Sequence, residues 1–190
     1  MGKLGLTRDE ALGLLNAHVH TENLRKHCLA TEAVMRRLAS RLNEDEEIWG
    51  LVGLIHDLDF DETKDDMSRH TLVAAEILRS RGVPEEYVNA IISHCESTPG
   101  WTPRSTPLQH ALAASEAITG LVVATALVMP DKKLASVKPK SVRKRMGETA
   151  FARNVDRSAI MECEKVGVPI AEFCELAVQA MQGISDALGL

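Results

Sequence analysis

Aromatic side chains are scarce, at 3% of 190 residues: two tryptophans, one tyrosine and three phenylalanines. A core must therefore be filled mainly by Leu, Ala, Val and Ile from the 45% apolar content, a composition that suits helix packing better than a β-sandwich. Sustained period-two alternation is missing, which argues against half-buried strands. The four cysteines, Cys28, Cys95, Cys163 and Cys174, form no CxxC pair and read as small, buried, reduced thiols. No basic-then-apolar leader opens the chain, and its apolar runs look too short and interrupted to span a bilayer. The protein is therefore expected in the cytoplasm, without a membrane. A net charge of −5 gives no general reason to expect nucleic acid.

What the chain has is helical periodicity almost throughout. Thr7-Arg-Asp-Glu10 is a capping-box pattern that opens a first helix. Further helices are expected over about 21–41, 44–58, 68–81, 84–94 and 107–129. Gly82 and Pro84 mark a stop and a restart. The three prolines and one glycine of Ser97–Pro107 form a loop. Residues 131–147 are basic and broken by Pro139, and two last helices occupy about 156–166 and 169–188. The reading is all-α: one domain over 1–190, a bundle of about eight to ten helices, with no internal repeat and no linker.

Five spaced sites carry the chemistry: His27, the doublet His56-Asp57, His70, His94 and Glu116. Helical spacing places each on the apolar stripe of its own segment: His27 with Thr31 and Val34, His56 with Ile48 and Val52, His70 with Val73 and Ile77. His94 follows Tyr87 and Ile91, and Glu116 lies with Leu112, Thr119 and Val123. Four imidazoles and two carboxylates aimed into one core are costly unless they bind a cation. Imidazole and carboxylate together suit one or two borderline divalent ions. His18 and His20 fall in a polar connection, and His110 lies about 120° around its helix from Glu116, so these three are set aside.

These segments resemble a known family. Asn23-Leu-Arg-Lys-His27, Gly53-Leu-Ile-His-Asp57, Ser68-Arg-His70, Ile91-Ile-Ser-His94 and Ala113-Ala-Ser-Glu-Ala-Ile-Thr-Gly120 are similar to the ligand segments of HD-domain proteins of the HDIG group, and the chain resembles a small bacterial and archaeal subfamily. The ligand core spans residues 23–120. The family's last ligand is Asp, where this chain has Glu116. The resemblance implies a metal-dependent phosphohydrolase with one or two ions (Mn, Fe, Co, Ni, Mg or Zn). It assigns His27, His56, Asp57 and Glu116 to one ion, and Asp57, His70 and His94 to the other. Asp57 and His56 are the catalytic pair, with Asp57 as bridge, and a metal-activated hydroxide attacks phosphorus. The substrate implied is a nucleotide or other small phosphorylated metabolite.

Seven basic residues against one acid give residues 131–145 a charge of +6, leaving −11 on the rest of the chain. One reading is a solvated helix. The other is a phosphate clamp in which Lys138, Lys140 and Lys144 meet the substrate. With no stacking aromatics interleaved, a small substrate is preferred over a nucleic acid. Two other functions use the same ligand types: a di-iron oxygenase such as myo-inositol oxygenase, and a non-catalytic metal- or nucleotide-binding regulator.

Overall fold

The computed structural model describes residues 4–190. It is helical, with no strand among the described residues. The α-helices are α1 (Arg8–His18), α2 (Glu22–Leu42), α3 (Glu46–Ile55), α4 (Phe60–Thr63), α5 (Leu72–Ser80), α6 (Glu85–His94), α7 (Pro107–Leu127), α8 (Pro139–Met146), α9 (Arg157–Met161), α10 (Ile170–Gln182) and α11 (Ser185–Leu188). Short 3-10 turns cover Leu134–Ser136 and Glu162–Val166. Two of the eleven, α4 and α11, are single turns, so nine longer helices make the bundle among the described residues, as the periodicity requires.

The starts are chemically specified. Thr7 and Glu10 form the capping box of α1, and Thr106 and Gln109 that of α7, where Pro107 follows as first residue. Asp45 accepts from the backbone N–H of Glu47 and Ile48 to cap α3. Asn43, at φ 58°, ends α2 in the left-handed conformation that Asn tolerates.

The two 21-residue helices α2 and α7 pack together at the centre, with α3 and α10 against α2, and α6 and α9 against α7. Buried positions of α7 run almost continuously from Ala111 to Val122, which makes it the central helix. Here one expectation is corrected: α7 is long and apolar enough, by length and composition, to cross a membrane. Most of it is buried among its neighbours, as in the core helix of a globular bundle. One core runs from Leu4 to Leu188, and Phe173 is the largest fully buried side chain.

Small residues set the closest approach. A Cβ on Gly53 of α3 would stand 3.0 Å from both the Thr31 carbonyl oxygen and Met35 Cγ of α2. That glycine lets the two helices approach directly behind the His56-Asp57 doublet.

Candidate metal centre

The candidate ligands sit mostly where helices start or stop. His27 is in the second turn of α2. α3 ends at Ile55, short of the expected 58, so His56 is its C-cap and Asp57 follows in the turn. His70 lies in the turn before α5 rather than on the helix expected from residue 68. The reason is Thr71, a β-branched residue held at φ 69°, which breaks the helical path. Such a conformation costs roughly 1–3 kcal/mol. Thr98 offsets it by bonding the Thr71 hydroxyl at 2.9 Å and the His70 carbonyl at 3.2 Å. His94 is the last residue of α6, and Glu116 is in mid-α7. His18 ends α1 rather than lying in the connection.

Asp57 stands between two histidine pairs. Its Oδ2 lies 3.7 Å from His27 Nε2 and 3.5 Å from His56 Nε2. Its Oδ1 lies 3.5 Å from His70 Nε2 and 3.3 Å from His94 Nε2. Two sets with metal-ligand geometry follow, His27–His56–Asp57 and Asp57–His70–His94, each with its donor atoms within 4.8 Å of one another. Glu116 joins neither set, although its charge is coupled to His94 and Asp57.

The other ring nitrogens explain why all four Nε2 atoms point inward. His56 Nδ1–H donates to the Gly53 carbonyl at 2.8 Å, and His94 Nδ1–H to the Ile91 carbonyl at 2.6 Å. His70 Nδ1–H donates to Asp59 Oδ1 at 2.8 Å. His27 Nδ1–H donates to the Thr119 hydroxyl at 2.9 Å, which itself donates to the Glu116 carbonyl oxygen at 2.7 Å. Each imidazole is thereby fixed with its Nε2 lone pair facing Asp57, the outer-shell arrangement that metal-binding histidines use. Two such lone pairs, on His27 and His56, meet at 3.1 Å. Acceptor facing acceptor in a buried site requires a cation or a shared proton between them. The residues therefore fit divalent metal, and C-terminal helix ends at His56 and His94 add favourable dipoles.

The electrostatics agree. Burial lowers the pKa of His27, and that of His56 to about 3, so both rings are neutral as ligands must be. Burial pushes the Asp57 carboxyl up, but the surrounding imidazoles, His56 foremost, hold it well below the ordinary range. For His94, burial lowers the pKa, but the Asp57 hydrogen bond and charge outweigh it and the net shift is upward. Burial raises Glu116 to about 7. All four cysteines are free, and three are poor nucleophiles: burial raises Cys28, as well as Cys163 and Cys174 to about 12 and about 11.

Asp59, Thr119 and Gly53 support the ligands, and sequence reading did not single them out for that role. The signal for Asp59 was present: a second acid two residues after the doublet in Asp57-Leu-Asp59. Lys26, beside His27, was also missed. It lines a cavity of about 390 Å³ that His27 and Thr119 share. Lys138, Lys140 and Lys144 are exposed on and beside α8, and none lines this cavity. Lys144 pairs with Glu148 at 3.7 Å. His110 turns away from the centre and donates to Glu162 at 2.8 Å.

No solved structure matches the chain. The model of one family, HD domain, matches residues 24–123, a stretch that takes in every candidate ligand from His27 to Glu116. With more than half its length matched and the paired histidine sets built around one aspartate, the chain belongs to the HD domain family, whose members are generally metal-dependent hydrolases.

Proposed function

We propose that the protein hydrolyses a phosphate ester of a small metabolite at a two-metal centre. The observation that supports this reading is Asp57: one carboxylate turns a separate oxygen toward each of two histidine pairs. When bound there, divalent metals would acidify a water and neutralise charge on phosphoryl oxygens. His27, His56 and Asp57 would hold one ion, and Asp57, His70 and His94 the other, with Glu116 outside both sets.

The chain's own contribution is preorganisation. His56 and Asp57 are the catalytic pair because they hold the reacting centre, and Gly53 and Asp59 fix the imidazoles on either side of it. In the reaction the oxygen of water joins phosphorus and the bond from phosphorus to the ester oxygen breaks. The departing alcohol takes a proton. Lys26 is the cation for the phosphate, ahead of Lys138, Lys140 and Lys144, because it neighbours His27 and faces the cavity. It now pairs with Glu22 at 2.8 Å, a surface contact worth little and easily exchanged.

The test is phosphate release from a panel of phosphomonoesters and diesters by protein loaded with Mn, Co, Ni, Mg, Fe or Zn, with Asp57→Ala in parallel. Release that disappears in Asp57→Ala supports the reading. Oxygen consumption by the iron-loaded protein without any phosphate release would replace it with the oxygenase, and bound metal without either reaction with the regulator.

A further inference from the structure

We infer that the cavity beside His27 takes a hydrocarbon body, so that the phosphate ester acted on here carries an aliphatic group rather than a base or a sugar. The inference rests on the phosphohydrolase reading for the position of the phosphate.

The metal centre opens on this side. Among its ligands the His27 side chain is 25% exposed, against 0% for His56, 3% for His70, 7% for His94 and 10% for Asp57. The cavity begins at that ring. Its volume, about 390 Å³, admits a small molecule and not a polymer. Its polar side chains are Asn23, Lys26, His27 and Thr119, and Lys26 reaches across to Gly189. The Thr119 hydroxyl is already committed to His27 and the Glu116 carbonyl. The other side chains of the wall are aliphatic: Ala30, Val123, Leu127, Leu188 and Leu190.

A nucleobase or sugar placed there would bury several donors and acceptors against aliphatic carbon, and each unmatched polar group costs free energy. Among the described residues no aromatic lines the cavity to repay that by stacking. A hydrocarbon chain meets no such penalty. The wall also continues outward: four large apolar side chains are exposed among the described residues, and Leu127 at 50% and Val128 at 54% are two of them. An anionic head at the metals and Lys26, with an aliphatic tail running along α7 from Thr119 past Val123 toward Leu127, suits this lining.

The test is calorimetric binding of a series of n-alkylphosphonates, ethyl to hexyl, to the metal-loaded full chain. Their P–C bond resists hydrolysis, so binding is read apart from turnover. Affinity should rise up to about fourfold per methylene while the chain stays in the cavity. Val123→Trp, which fills the cavity, should flatten that slope. Leu127→Glu, at a half-exposed position that the fold tolerates, should weaken hexylphosphonate more than ethylphosphonate. Lys26→Met should weaken all lengths equally. A flat series, or adenosine 5′-monophosphate binding more tightly than hexylphosphonate, overturns the inference. A steep series without turnover of any ester keeps it and removes the phosphohydrolase reading. Turnover of nucleotides with a flat series does the reverse.

Discussion

Asp59 braces His70 from behind: its Oδ1 accepts the His70 Nδ1–H at 2.8 Å, while its Oδ2 accepts the backbone N–H of Ala74 in α5 at 2.9 Å. One buried carboxylate thus fixes both a ring tautomer and the start of the helix that follows. Asp59→Asn keeps an oxygen for Ala74 but turns an amide N–H₂ toward His70. The ring must then accept at Nδ1 and carry its proton on Nε2, where the metal belongs. Affinity at the Asp57–His70–His94 set should fall about 10- to 100-fold, with the His27–His56 set less affected. Metal titration of the variant checks this, and equal weakening at both sets would contradict it.

Gly53 links packing to the same centre. Its carbonyl accepts from His56, and its missing Cβ gives the room that α2 occupies. Gly53→Ala should push α3 from α2 and cost about 1–3 kcal/mol, the usual range for an overpacked core. A thermal melt should show a lowered midpoint together with weaker metal retention. An unchanged melt would mean that the helices move apart freely.

Most of this architecture was legible in the sequence because apolar periodicity survives wherever a helix is long. The boundaries of α2 and α7 fall within two residues of expectation. Periodicity fails in the turns. His70 sits where a helical repeat extends backwards from α5, yet Thr71 at φ 69° interrupts it, and no local signal announces a β-branched residue in that conformation. Five of the six donors expected, all but Glu116, fall in the two clustered sets, because buried histidines and carboxylates are too costly to place by chance on so many inward faces. Their supports were harder to see. Gly53 and Ile91 act through backbone carbonyls, which carry no side-chain signature. The basic segment shows what charge alone leaves open. Arg143, Lys144 and Arg145 fall in the last turn of α8, where positive charge favours the helix end whether or not a phosphate is nearby.

Protons compete with metal at this centre. Burial lifts Glu116 to about 7, and Asp57 lifts His94 against its own burial. Metal favours the deprotonated form of both groups, so affinity should rise as pH increases through 7. Glu116, lifted to about 7, should contribute to the protons released on metal uptake near that pH. Calorimetry in buffers of differing ionisation enthalpy measures this release. Glu116→Gln should remove the Glu116 share and, if Glu116 is a ligand, lower the occupancy of one ion. Glu116→Asp should retain that ion. Proton release unchanged in Glu116→Gln would exclude this carboxylate from the linkage.

In the proposed reading Asp57 joins two metal sites into one. Elemental analysis of wild type and Asp57→Ala, purified side by side and loaded identically, tests it most directly. Two equivalents are expected in wild type and essentially none in Asp57→Ala, because its loss removes an oxygen from both sets and a negative charge that offsets the ions. Full metal occupancy in Asp57→Ala would contradict it.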